Sequence, residues 1–178
     1  MTRQAAQEQA TGQAVNEAYQ RVIEPVDPVA VIVTCASGGD NAGCLVTFSA
    51  PCSIEPPRYA VWLSHRNHTY RVALRADELM VHMLTRADLS LAELFGGVSG
   101  MHEDKFARVP WSDCGVPLLS VSGGWLRGRI VSRVPGREEM GGDHTCFVLE
   151  PVAAGGGGGK PLRLSDVQHI DPGQSGGE

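Results

Sequence analysis

Val29-Ala30-Val31-Ile32-Val33-Thr34-Cys35 leads through Ala36-Ser37-Gly38-Gly39-Asp40-Asn41-Ala42-Gly43 into Cys44-Leu45-Val46-Thr47-Phe48-Ser49, and then Ala50-Pro51. The first run is rich in β-branched residues and reads as a strand, because a branched side chain loses little rotamer freedom on a pleated surface. Ser37-Gly38-Gly39-Asp40-Asn41 is a loop by composition. Cys44–Ser49 predicts a second strand that Pro51 stops, since proline has no N–H for a ladder. Working outward, Tyr59–Ser64 follows the Pro56-Pro57 bend, and Leu79–Leu84, Trp125–Val134 and Thr145–Val152 are further strand candidates. Two short helical patterns interrupt them. Thr69–Ala76 places Tyr70, Ala73 and Leu74 on one face, and Ser90-Leu91-Ala92-Glu93 has a capping-box pattern before Leu94, Phe95 and Gly96. Six or more short strands with two short helices predict a mainly β fold, a barrel decorated with helices. The helices are too few and too short for regular βαβ units.

The chain has 178 residues, enough for one domain with a sizeable core. Residues 1–21 are polar and predict a helical or flexible segment that docks, if at all, through Val15, Tyr19, Val22 and Ile23. Residues 22–153 form the expected folded unit. Residues 154–178, with the run Gly155–Gly159 and the Gly-rich end Gly173–Glu178, predict a flexible tail, apart from a short strand at Leu162–Leu164. Fifteen Lys and Arg against twenty Asp and Glu give a net charge of −5, and no segment interleaves basic and aromatic residues. Nucleic-acid binding through phosphate neutralisation is therefore not expected. The longest aliphatic run, Val29–Val33, falls far short of the ~20 residues of a membrane helix. The start of the chain carries no secretory pattern. Five cysteines, odd in number and never spaced C-x-x-C, argue against a disulfide framework or a zinc site and for a reducing cytoplasm.

Three constellations carry candidate chemistry. In Asn41–Pro57, hydroxyls at Thr47, Ser49 and Ser53 sit among small residues on a strand ending in a proline-rich bend. Small side chains let a flat ligand lie against the backbone, whose N–H and C=O groups read its edge. The same residues also read as an ordinary strand and turn. In Ser64-His65-Arg66-Asn67-His68-Thr69-Tyr70, a strand runs into a helix with Asn67 or Thr69 as N-cap and positive charge upstream. That suits a phosphate, and equally a capped surface helix. His65 and His68 have no third ligand nearby in sequence, so no metal is expected. Gly141-Gly142-Asp143-His144-Thr145 opens the last strand. It reads as a turn with a structural histidine, or as a histidine orienting a second substrate beside a cofactor. No cysteine stands in the polar, electropositive setting that a nucleophilic thiolate needs.

In this order and spacing the three constellations resemble the flavin reductase family of FMN-binding split-barrel proteins. The resemblance runs from about Val22 to Ala153, through Gly43–Ser53, Ile54-Glu55-Pro56-Pro57, Ser64–Thr69, Leu91-Ala92-Glu93-Leu94-Phe95, Lys105-Phe106 and Gly142-Asp143-His144. It implies an FMN-binding split β-barrel of Greek-key type. By resemblance, Leu45, Val46, Thr47 and Phe48 lie against the isoalloxazine ring, and Ser53 stands close to the flavin. Ser64, Asn67, His68 and Thr69 hold the ribityl phosphate, and His144 lies where nicotinamide approaches. The family is typically homodimeric, with flavin near the subunit interface. This chain departs from it at Thr47-Phe48, where many members carry two small hydroxyl residues; the departure implies a flavin contact that is lost or made by backbone, or else a Phe48 that stacks near the ring.

The resemblance implies hydride transfer from NADH or NADPH to FMN, with FAD as an alternative flavin, and a flavin-dependent monooxygenase as a partner for the reduced flavin. In such a reaction the cofactor supplies reactivity and the protein supplies position and electrostatics. There is no GxGxxG after a strand, so no Rossmann-type nicotinamide site is expected. The competing readings are a non-catalytic flavin-binding electron carrier, a split-barrel oxidoreductase using a deazaflavin, and a flavin-free structural barrel.

Overall fold

The computed structural model describes residues 3–136 and 142–172, with side chains from residue 12 onward. Arg137–Gly141 and Gly173–Glu178, which include the first glycine of the Gly-Gly-Asp-His motif and the end of the tail, lie outside the described residues. Helix α1 (Arg3–Ile23) leads the chain, and Val15, Tyr19, Val22 and Ile23 are all exposed on it. Among the described residues nine strands follow, β1 (Val31–Ser37), β2 (Asp40–Val46), β3 (Ser49–Ser53), β4 (Arg58–Ser64), β5 (Glu78–Met83), β6 (Trp111–Asp113), β7 (Pro117–Leu119), β8 (Trp125–Pro135) and β9 (His144–Gly155). Three further helices, α2 (His68–Ala73), α3 (Leu89–Gly97) and α4 (Leu164–Val167), are short. The fold is thus mainly β with short helices.

Seven strands form one antiparallel sheet in the order β2-β1-β5-β8-β9-β4-β3, and β6 and β7 make a separate pair. The two end strands, β2 and β3, share no ladder among the described residues, so hydrogen bonds do not close the sheet into the expected barrel. It curls nonetheless. Ala42, Cys44 and Val46 of β2 and Val61 and Leu63 of β4 meet in one core with Val31, Val33, Leu79, Val81, Phe147 and Leu149. The opposite face of β1 supplies Ala30 and Ile32 to a second core with Leu84, Leu94, Phe95, Phe106, Leu119, Leu162 and Val167. Strand β1 is buried on both faces, which is why it reads as a continuous apolar run rather than an alternation.

Several expectations need correcting. Cys44–Ser49 is not one strand. β2 begins at Asp40, inside the expected loop, ends at Val46, and the chain resumes pairing as β3 at Ser49. Thr47 and Phe48 occupy the break, and the Phe48 carbonyl accepts from the Trp62 N–H at 2.9 Å. Pro51 lies within β3 and does not end it, because β3 is an edge strand whose missing donor faces no neighbour. The capping box lies upstream of Ser90. The Asp88 carboxylate accepts from the Thr85 N–H at 2.8 Å, and the Thr85 hydroxyl accepts from Ala87 N–H, which starts the turn that runs into α3. Within residues 160–172, Leu162 is packed into the fold. The Leu162 carbonyl accepts from Ala30 N–H and its N–H donates to Leu84, both at 2.8 Å, so that Leu162 is buried. Leu162–Leu164 makes an isolated bridge from Arg163 to Val29 and then turns into α4.

His82 is a core residue. Fully buried on β5, it donates from Nδ1 to the Ile32 carbonyl at 3.1 Å and accepts at Nε2 from the Leu119 N–H at 3.0 Å. The two bonds require the neutral ring, and burial lowers its pKa from 6.5 to about 4.

Candidate functional site

A cleft of about 620 Å³ opens where the end of β2, the end of β4, the start of α2, the end of α3, the start of β9 and the chain after α4 converge. The ladder explains the convergence. Ser64 is paired with His144 across β4 and β9, and the Phe48–Trp62 backbone bond ties the break after β2 to β4. Residues far apart in sequence therefore share one rim. Of the predicted residues, Leu45, Val46, Thr47, Phe48, Ser64, Asn67, His68 and His144 line this cleft. Ser53 does not. It is exposed at the end of β3, opposite Arg58. Thr69 does not line it either. Its side chain is buried behind the helix start, its hydroxyl has no oxygen or nitrogen partner, and it lies against the Cys44 thiol.

The lining sorts by chemistry. Leu45 and Phe48 present apolar surface, with Phe48 more than half exposed and Trp62 beside it at the rim, while the Val46 side chain between them is buried in the first core. Arg66 supplies positive charge, and Ser64, Asn67, His68 and Ser99 supply polar groups beside it. The turn there is held by its own backbone, with Asn67 N–H donating to the Ser64 carbonyl at 2.9 Å. Asn67 is the N-cap of α2 but its side chain makes no capping bond, and it leans on Cys44 instead. Burial pushes the His68 pKa down, partly opposed by Asp40. Burial also pushes the Cys44 thiol up, against the Thr69 and Asn67 hydrogen bonds and nearby Lys105, so the thiol stays neutral.

Next to Ser64, across the ladder, His144 Nδ1 donates to the Asp143 carboxylate at 2.6 Å, which holds that carboxyl below the usual range. The bond fixes the tautomer and leaves Nε2 with the lone pair when the ring is neutral. The His144 ring stands 5.3 Å from that of Phe48, tilted by 53°. His65, its neighbour across the turn, is bonded elsewhere, at 3.0 Å to the Thr145 hydroxyl and stacked on Tyr70. Among the described residues no group of three His, Cys, Asp or Glu side chains is placed to hold a metal ion. No helix among them is long and apolar enough to cross a membrane.

Sequence reasoning missed Trp62, Phe95, Gly96, Val98 and Ser99, and it missed the wall formed by Leu164, Val167, Gln168, Ile170, Asp171 and Pro172. The apolar residues Leu164, Val167 and Ile170, three apart, were the available signal, masked by the glycine run before them. Lys105, one of the family-like marks, has a structural part. Its buried ammonium donates to the Phe95 and Val98 carbonyls at 3.3 and 3.0 Å, closing the C-terminal end of α3 under the cleft.

An apolar surface beside a cationic and hydroxyl-bearing rim suits a flat ring that carries an anionic group. The flavin reductase like domain model matches residues 26–166. The chain belongs to that family. It is 30% identical over 129 residues, 71% of this chain and 69% of the relative, to the reductase component of an FADH2-dependent resorcinol hydroxylase from Rhizobium sp. (strain MTP-10005). It is 32% identical over 109 residues, 59% of this chain and 61% of the relative, to the FMN reductase (NADH) RutF of Stutzerimonas stutzeri (strain A1501). A flavin reductase domain protein from Arthrobacter sp. FB24 shares the fold with a TM-score of 0.70 at 23% identity, covering 82% of this chain and 88% of that one.

Proposed function

We propose that the cleft binds a flavin, FMN in the first place with FAD as the alternative, and that the protein is an NAD(P)H-dependent flavin reductase supplying reduced flavin to a partner monooxygenase. The observation that carries this reading is the convergence on one cleft of the Leu45–Phe48 stretch, the Arg66 guanidinium with the polar groups of Ser64, Asn67 and His68, and His144. Family membership supports it, and so do two relatives, one named as a hydroxylase's reductase component and the other as an FMN reductase. A bound flavin would supply the hydride-accepting ring. Leu45, Val46, Thr47 and Phe48 would carry the ring on one side. Ser64, Asn67 and His68, with Arg66, would hold the phosphate, with Thr69 setting the helix start from behind. His144, oriented by Asp143, would stand on the nicotinamide side, placing the donor and balancing charge there.

Three further features belong to the same proposal. The curled sheet is a split barrel of Greek-key type, the protein works as a homodimer, and it resides in the cytoplasm. Ser53, outside the cleft of a single chain, would approach a flavin only from another copy. All five cysteines are free thiols, as a reducing compartment keeps them.

Anaerobic stopped-flow absorbance of the protein mixed with FMN and then NADH tests the reading. Bleaching of the flavin band faster than in a protein-free control is the expected result. Flavin binding with no bleaching by NADH or NADPH would leave a carrier, and absence of binding to FMN, FAD and riboflavin would refute the proposal.

A further inference from the structure

Beyond residue 166, where the family match ends, the chain continues along the cleft. Its approach is anchored. Arg163 Nη1 donates to the Asp27 carbonyl at 2.8 Å, while the Ser165 N–H and hydroxyl donate to the Asp27 carboxylate at 2.8 and 2.9 Å. Arg86 pairs with Asp166 at 2.9 Å. Past that point, His169 Nε2 lies 3.1 Å from Glu93 Oε1 on α3, and Ile170 N–H donates to the Val167 carbonyl at 3.0 Å. Ile170 is partly buried and packs against the second core. A Cβ on Gly96 would stand 3.1 Å from Ile170 Cγ2 and 3.0 Å from Leu45 Cδ2, so the side chain that glycine lacks is what lets Ile170, the end of α3 and Leu45 approach. Leu45 lines the cleft.

We propose that Gln168–Pro172 forms a wall of the flavin cleft and that Ile170 is a positioning residue, holding Leu45 across Gly96 against the flavin ring. This rests on the flavin reading above. An apolar buttress of this kind acts on the ring and not on the phosphate. Loss of it should therefore weaken FMN and riboflavin by the same factor, whereas loss of a phosphate-directed charge weakens FMN alone.

Fluorescence titration of the full chain with FMN and with riboflavin, alongside thermal melts, tests this for Ile170→Ala and Ile170→Val. Ile170→Ala is expected to raise both Kd values about tenfold and to shift the absorption bands of the bound flavin. Ile170→Val should raise both by only about twofold to threefold, because a single methyl is lost. Unchanged Kd values in Ile170→Ala would overturn the proposal, and so would a rise for FMN without one for riboflavin. Where Ile170→Ala fails to fold, Ile170→Val decides, with a parallel rise in both Kd values supporting the proposal and no change overturning it. Failure of the unsubstituted protein to bind either flavin would instead remove the proposed function itself.

Discussion

Replacing His82 by glutamine should flatten the pH dependence of stability below neutral pH. His82 donates from Nδ1 to Ile32 and accepts at Nε2 from Leu119, so a proton on Nε2 would set two donors against each other inside the core. Folding lowers the pKa from 6.5 to about 4. Between those values the unfolded chain binds a proton that the folded chain refuses. The stability contribution is therefore complete above pH 6.5 and falls as the pH drops toward 4. At about 1.4 kcal/mol per unit, a span of roughly 2.5 units amounts to about 3 kcal/mol. Guanidinium unfolding of the protein and of His82→Gln at steps from pH 7.5 to 4.5 reads this directly. Glutamine keeps an acceptor for the Leu119 N–H but cannot titrate. The variant should start less stable at pH 7.5, by about 1–3 kcal/mol for the unmet Ile32 carbonyl, and the gap should narrow as the pH falls. Two curves that stay parallel through this window would refute the assignment of a neutral, doubly bonded His82.

Other perturbations act on the cleft and its supports. His144→Ala should leave FMN binding nearly unchanged while lowering the NADH-driven bleaching rate by about tenfold to a hundredfold, and equal rates in single-turnover absorbance would remove His144 from the nicotinamide side. Arg66→Ser should raise the Kd for FMN about tenfold with riboflavin unaffected, as measured by fluorescence titration; an equal effect on both would show that Arg66 does not serve the phosphate. Gly43→Ala should destabilise the fold by about 1–3 kcal/mol, because its new Cβ would lie 2.7 Å from Phe95 Cε1. A melt within a degree of the unsubstituted protein would show that the second core accommodates it.

Elements whose signal is local were legible in the sequence. β1, β4, β5, β8 and β9 announce themselves through branched and aromatic runs, and each lies within a few residues of its expected span. Eight of the predicted site residues do share one cleft. The errors fall where a neighbour in space overrides the local pattern. The break at Thr47-Phe48 exists because Phe48 bonds to Trp62 on β4, and Pro51 is tolerated because β3 is at the sheet edge. The β6–β7 pair was not expected, since three-residue strands at Trp111–Asp113 and Pro117–Leu119 carry too little periodicity to be recognised.

Periodicity and composition by themselves determined a mainly β chain, the strand into helix at Ser64–Thr69, and the residue types suited to a flat ring with a phosphate. Those are local properties, fixed by side-chain branching, N-cap chemistry and charge. Only the tertiary structure decided that Ser64 faces His144 across a ladder, that His82 is a neutral core histidine, and that Leu45 and Ile170 both close on Gly96. Leu45 and Ile170, brought to the same glycine, are 125 positions apart in the chain (170 − 45). The glycine-rich run that makes residues 154–178 look unstructured carries no information about the apolar residues beyond it. Leu162 and Val167 are held by burial in a core built from distant strands, with Ile170 packed against it, an energy that no local window contains.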